Sequence, residues 1–340
     1  MDLIFCTSHL YIPITLSIIH KSVNGFCVYT DRLSIFTFFC HLYHKKHVFL
    51  LNRNTKTGRL AKLFIAPYEQ KKRMLEFVEG KNIDRIVFFH EGFCQEANWL
   101  ILKLSKMIKP EIIYVPIERT FTHNNRCKEA LSLEYLLKKI RTYLIWGFRI
   151  HYYHYLNNIY PVMDFSFFRK IHSREIDLEE IGVNAIPEIN YRLLNVNEYS
   201  ENGFVWLENT LRCLNVKWSE ETYAQFVKEG LDIIGRDNVY YKGHPDLVEK
   251  YGEEKTMKDI PSFIPGNLIL KRFSCFIGVF SDLLFEAANA GTPAISTLYL
   301  VELDDREKYV DYLKSKNDSI YFPKTISEFA EVVGQVRSYK

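Results

Sequence analysis

Short apolar runs alternate along the chain with longer segments whose apolar residues recur at helical spacing. Leu3–Cys6, Phe26–Tyr29, Val48–Leu51, Ile83–Phe89 and Ile112–Val115 read as buried strands. Tyr11–Lys21, Tyr68–Glu79 and Gln95–Met107 read as the helices between them. Strands that are apolar throughout, each followed by a helix, predict βαβ units around a parallel sheet. The segment 31–47 is aromatic and fits neither period. From 129 to 172 the pattern changes: Glu129–Tyr143 carries leucines at helical spacing, and the aromatic stretches Trp146–Tyr160 and Phe165–Ile171 follow. This region is expected to be a helical connection.

The βα pattern then resumes. Gly203–Leu207, Asn238–Tyr241, Leu268–Leu270, Phe276–Val279 and Pro293–Thr297 are expected strands. Ser219 is the expected N-cap of a helix over Glu220–Ile234, with acids in its first turn. Ser281–Ala290 is expected to be a helix closed by Gly291, and a last helix begins near Ser327. At roughly 150 residues per domain, 340 residues suit two domains. The expectation is therefore an α/β protein of two facing Rossmann-like domains, 1–172 and 173–340, with a ligand cleft between them. Ligands in such folds collect outside the carboxyl ends of the parallel strands.

Composition narrows the class. Hydrophobic residues make up 47% and charged residues 25%, which excludes a disordered, collagenous or coiled-coil chain. The formal net charge of +3 calls for no nucleic acid partner. The seven cysteines are widely spaced without a C-x-x-C pair, which argues against a disulfide framework and a cysteine zinc site and suits a reducing cytoplasm. Residues 3–19 are mostly apolar, but Thr7, Ser8, His9, Pro13, Thr15 and Ser17 interrupt the run and no basic region precedes it. Neither a signal peptide nor a membrane span is expected there.

Two segments carry candidate chemistry. In Tyr240-Tyr241-Lys242-Gly243-His244-Pro245 a strand runs into a turn, and Pro245 restricts His244 to extended backbone. A histidine aimed from the carboxyl edge of a sheet can hydrogen-bond a phosphate or protonate a leaving group; it can also simply finish a strand. Lys242 can add positive charge or point to solvent. In Phe280-Ser281-Asp282-Leu283-Leu284-Phe285-Glu286-Ala287 a second strand end meets a helix start. Its N–H groups and the Ser281 hydroxyl can receive an anion, although Asp282 opposes one, and an ordinary Ser N-cap gives the same letters. No G-x-G-x-x-G and no G-x-x-x-x-G-K-[ST] occurs, which sets aside dinucleotide dehydrogenases and P-loop NTPases.

In order and setting, these segments resemble the nucleotide half of bacterial GT-B sialyltransferases, glycosyltransferase family 52 and the polysialyltransferases. The opening Ile4-Phe5-Cys6-Thr7-Ser8 and the Leu- and Tyr-rich stretch 130–171 are similar to the family's first strand and its connecting region. The resemblance implies a GT-B fold in which Lys242, Gly243, His244, Pro245, Ser281, Asp282 and Glu286 surround a CMP-sugar, with Thr7 and Ser8 on the acceptor side. It implies an inverting transfer of sialic acid, or a related nonulosonic acid, to a glycan or glycolipid of lipooligosaccharide or capsule. No metal takes part, no D-x-D motif is present, and no cofactor beyond the donor is needed. The family's acidic-acidic-glycine motif supplies the base that deprotonates the acceptor hydroxyl, and here it is altered. By letters it corresponds to His90-Glu91-Gly92; by order of elements it corresponds to Pro116-Ile117-Glu118-Arg119-Thr120, which favours Glu118 over Glu91. His244 and Ser281 would stabilise the departing phosphate.

Two other readings follow from the altered motif: a CDP-glycerol or CDP-ribitol phosphotransferase of surface polymers, and a degenerate homologue that binds nucleotide or glycan without turnover. His41, His44 and His47 recur at three-residue spacing, as do His151 and His154, without a nearby acidic ligand, so a metal site is not expected. The basic, aromatic face near 41–47 offers either a solvated turn or peripheral contact with the inner face of a membrane. The sequence leaves a homodimer open.

Overall fold

The computed structural model describes residues 1–51, 59–89, 94–116, 132–155, 158–163, 172–176, 194, 199, 203–209, 211, 216–244 and 256–338. The chain forms two compact units, Met1–Ile189 and Asn190–Lys340. Each is built on a parallel sheet, so the α/β class with two Rossmann-like domains is what the chain adopts.

The first sheet has the order β3-β2-β1-β4-β5-β8, from β1 (Asp2–Phe5), β2 (Phe26–Thr30), β3 (Val48–Leu50), β4 (Arg85–Phe88), β5 (Glu111–Tyr114) and β8 (Arg174–Glu175). All its pairings are parallel. Helices α1 (Ile12–Lys21), α2 (Leu33–Leu42), α3 (Arg59–Val78) and α4 (Gln95–Met107) alternate with the strands. Leu3, Phe5, Tyr29 and Phe88 are fully buried in this core. At the amino edge the half-exposed Arg85 guanidinium grips the buried Asp2 carboxylate from the neighbouring strand. Because β8 completes this sheet, the first unit continues past residue 172.

Between β5 and β8 lie α5 (Leu133–Trp146) and an antiparallel hairpin of β6 (Ile150–Tyr155) and β7 (Asn158–Met163), with Tyr155 opposite Asn158. The hairpin replaces part of the expected helical connection. Its Tyr and Ile residues suit a pleated surface, and Gly147 in the left-handed region ends α5 before them. Residues 164–171 lie outside the described residues. The aromatic segment 31–47 resolves into α2 and a 3-10 turn, Lys45–His47.

The second sheet has the order β11-β10-β9-β12-β13, from β9 (Phe204–Leu207), β10 (Val239–Lys242), β11 (Lys258–Ile260), β12 (Cys275–Gly278) and β13 (Ala294–Ser296), again all parallel. Helices α6 (Glu220–Ile234), α7 (Asp282–Asn289), α8 (Arg306–Lys316) and α9 (Ile326–Ser338) complete the unit. Ser219 caps α6 as expected, its hydroxyl oxygen accepting the Thr222 N–H at 3.2 Å. Leu268–Leu270 is not a strand: after Pro265, the N–H groups of Leu268, Ile269 and Arg272 bond to carbonyls three residues back, leaving 3-10 turns.

Gly230, inside α6, lies against Trp206; a Cβ there would come within 3.0 Å of the ring. Alanine would add roughly 1 kcal/mol of helix propensity. The buried indole has little room to yield, because its N–H is bonded to Tyr223 Oη at 3.3 Å and Phe226 packs beside it. Overpacking costs about 1–3 kcal/mol, so Gly230→Ala is expected to be net destabilising by about 1 kcal/mol, read as a fall of several degrees in thermal midpoint.

Candidate functional site

In a parallel sheet every strand delivers its next residues to the same edge. In the second unit that edge collects Glu208-Asn209 after β9, Gly243-His244 after β10, Ser281 shortly after β12 and Thr297 after β13. The chain adds β10 and β11 on one side of β9, then returns to place β12 on the other. The point of reversal, between β9 and β12, is where such sheets open a crevice.

Glu208 organises one flank of it. Its backbone N–H donates to the Lys242 carbonyl at 3.1 Å, extending the β9–β10 pairing by one step. Its Oε2 accepts the His244 backbone N–H at 2.7 Å, although the residue is only 3% exposed. The carboxylate thus straps the turn that presents His244, through a charge-assisted hydrogen bond. Gly243 is not demanded by the turn: its φ is not positive, and a Cβ would meet Glu208 and Tyr241 at an ordinary 3.5 Å. Pro245 lies outside the described residues.

Lys242 is buried rather than solvent-facing. Its Nζ donates to the carbonyls of Gly243 at 3.1 Å and Ser262 at 3.3 Å, tying β10 to the loop after β11. Burial pushes its pKa down to about 8, against the opposing pull of the Glu208 charge. The lysine braces the edge from inside, with its ammonium committed to backbone carbonyls.

On the other flank, Ser281 is the N-cap of α7: its Oγ accepts the Leu283 N–H at 3.3 Å. Asp282 is engaged by α8, its Oδ1 accepting the Tyr312 hydroxyl at 3.2 Å. Glu286 is half-buried one turn further along α7. The structure therefore brings Lys242, Gly243, His244 and Ser281 to one edge of one sheet.

Sequence reasoning missed Glu208, Asn209 and Thr297. Asn209 is fully buried; its Oδ1 accepts the Leu211 N–H at 3.1 Å, and its Nδ2 finds no partner among the described residues. Thr297 is also fully buried, its Oγ1 equally without one. Buried donors without partners are rare, and they mark places where a ligand or water completes the structure. The available signal was the polar pair directly after the apolar run Phe204–Leu207.

In the first unit, Cys6 and Thr7 directly follow β1, the position that Glu208-Asn209 takes in the second, and Ser8 comes next. Thr7 is buried with no partner for Oγ1 among the described residues, and Ser8 caps the turn His9–Tyr11 by accepting the Leu10 N–H at 3.4 Å. Glu91 and Glu118 both lie outside the described residues. Among the described residues, no three His, Cys, Asp or Glu side chains gather where they could hold a metal. His41 bonds the Thr37 carbonyl at 2.8 Å, His44 accepts the Lys46 N–H at 3.1 Å, and His47 stacks on Phe26.

No family model and no curated protein matches this sequence. Among solved structures, the chain is similar to a UDP-GlcNAc 2-epimerase from Methanocaldococcus jannaschii, at 12% identity and a TM-score of 0.47, over 98% of this chain and 91% of that one. It is similar to CalG4, the calicheamicin glycosyltransferase, at 10% identity and a TM-score of 0.47, over 99% and 91%. It is also similar to the spinosyn rhamnosyltransferase SpnG complexed with thymidine diphosphate, at 10% identity and a TM-score of 0.42, over 99% and 91%. At such scores the likeness says nothing about substrate or reaction, and the class of this protein rests on its own two parallel sheets.

The state of Lys242 sets a pH dependence. Between about pH 8 and 10.5 the unfolded chain keeps a proton that the folded lysine has released, so stability rises with pH through that window. The buried thiols of Cys6 and Cys27, pushed up to about 12 by burial, act in the opposite sense above pH 9. The reading is therefore the difference in unfolding free energy between the wild type and Lys242→Met, which is expected to grow by up to about 3 kcal/mol across the window. A flat difference would mean that the ammonium is hydrated.

Proposed function

We propose that this protein is an inverting glycosyltransferase that binds its nucleotide-sugar donor at the carboxyl edge of the second sheet. We infer a CMP-activated sialic acid, or a related nonulosonic acid, as donor, and a glycan or glycolipid of lipooligosaccharide or capsule as acceptor. The observation that carries the reading is the grouping at one edge of the Glu208-strapped His244 turn, the capped N-terminus of α7, and the buried donors of Asn209 and Thr297 that have no partner among the described residues. The resemblance of the two motifs to the sialyltransferase group supports CMP as the nucleotide.

In this reading the nucleotide phosphate lies toward His244 and α7. The positive end of the α7 dipole favours the charge that grows on the phosphate as the sugar leaves, and a protonated His244 adds to it. Glu208 acts on the donor only through its hold on the His244 backbone. A carboxylate of the first unit, Glu118 with Glu91 as the rival, takes the proton of the acceptor hydroxyl.

The test is a thermal-shift series with CMP, CDP, UDP, dTDP and GDP. A ligand that binds only the folded state at a hundredfold excess over its Kd stabilises it by about 2.7 kcal/mol. CMP is expected to raise the midpoint of the wild type, and to raise it less in His244→Ala. Glu118→Gln is expected to keep the CMP shift and lose sugar transfer. Stabilisation by UDP, dTDP or GDP without a CMP effect would refute the donor assignment.

A further inference from the structure

Helix α5 has two apolar faces, and the described residues cover only one. Thr142 and Trp146 are buried, and the same side lines a cavity of about 560 Å³ with Gln70, Glu96 and Tyr152. Leu133, Leu136, Leu137, Ile140, Tyr143 and Leu144 are between 48% and 75% exposed. At 100° per residue these six fall within an arc of about 120°, opposite the buried side. An ordinary surface helix puts its charges there. Here the charges sit on the two flanks of the exposed arc instead: half-buried Lys139, its Nζ over the Tyr152 ring, on one side, and on the other Glu134 with Lys138 and Arg141, which also line the cavity. Glu134 is engaged by Lys138 at 2.6 Å, so the flank charge left without an ion pair among the described residues is basic.

We infer that α5 docks the protein on an anionic lipid surface, lying in the interface with its leucine face toward the acyl chains. The flanking charge selects this occupant. On a lipid surface, Lys139 and Arg141 meet phosphate headgroups; in a seam with a second copy of α5, basic flanks would meet basic flanks. An apolar face bordered by Lys and Arg, with an aromatic residue within it, is the pattern of an interfacial helix. Fourteen residues are too few to span a bilayer, and among the described residues no helix is long and apolar enough to cross one. The face differs from the 41–47 segment considered from sequence, where Tyr43 packs on Phe26 and Phe39 and His47 stacks on Phe26.

This inference does not rest on the donor reading, and its test needs no nucleotide. The full chain is floated with vesicles of phosphatidylcholine alone or mixed with phosphatidylglycerol, at low and high salt. The wild type is expected to float with the anionic vesicles and to be released by salt. The triple variant Leu136→Glu, Leu137→Glu, Ile140→Glu is expected to lose at least about tenfold in binding. The variant Lys139→Gln, Arg141→Gln leaves the apolar face intact and is expected to lose about fivefold per charge on anionic vesicles only. An unchanged thermal midpoint verifies that each variant is folded, and the charge variant carries the test should the triple variant not fold. A wild type that does not float would overturn the inference. So would equal flotation of the variants, or a dimer in sedimentation that the triple variant breaks while vesicles bind neither protein.

Discussion

The hydrogen bond from the His244 backbone to Glu208 is the constraint on which the second unit's edge depends. Removing a carboxylate from water costs several kcal/mol, and so does removing an ammonium. Glu208 and Lys242 are both buried, and each is held by backbone groups: the carboxylate by the His244 N–H, the ammonium by two carbonyls. Their mutual attraction offsets part of the cost, but a buried pair of this kind contributes little net stability. Its effect is positional. Glu208 joins the ends of β9 and β10, Lys242 joins β10 to the loop after β11, and the turn carrying His244 has little freedom left.

The two units use one topology with different chemistry. In each, the first strand lies next to the fourth in unit order, the point at which such sheets open a crevice. After β1 the first unit presents the Cys6 thiol and the Thr7 and Ser8 hydroxyls; burial pushes the thiol up to about 12, and the Asp31 charge just past β2 acts in the same direction. The corresponding edge of the second unit holds a carboxylate, an ammonium, an imidazole and a capped helix N-terminus.

Much of this was legible in the sequence, for identifiable reasons. Glu220–Ile234 was bounded to the residue because a regular apolar stripe meets clear end signals, Ser219 before it and Gly235 after it, and Gln95–Met107 by its apolar stripe alone. The strands were legible because a parallel strand, buried on both faces, is a continuous apolar run. The hairpin 150–163 was not, since an aromatic stretch suits both a strand and a buried helix. Nor was α8, whose few buried residues, Tyr309, Val310 and Leu313, make too short a stripe. Of the site, His244 and Ser281 could be read from their place after strands. The direction of Lys242 could not, because a residue at a strand end can turn inward or outward without changing the pattern. Glu208 followed a strand just as His244 did, but no motif drew attention to it.

Helix α5 shows why burial has to be read from both sides of an element. Its sequence reads as part of a helical connection with leucines at helical spacing. The structure gives it one packed side and leaves the other to solvent, and a contiguous apolar patch of that kind is uncommon on a protein that meets only water. Relief could come from repacking inward, but the inner side is already occupied by Trp146, by Lys71 over the Trp146 ring and by the hairpin, so rotating the helix would expose as much as it covered. The apolar arc is therefore fixed outward by the packing behind it. A rigid outward arc with basic flanks costs less to dock on a surface than one that must first be ordered, because no helix has to form on binding.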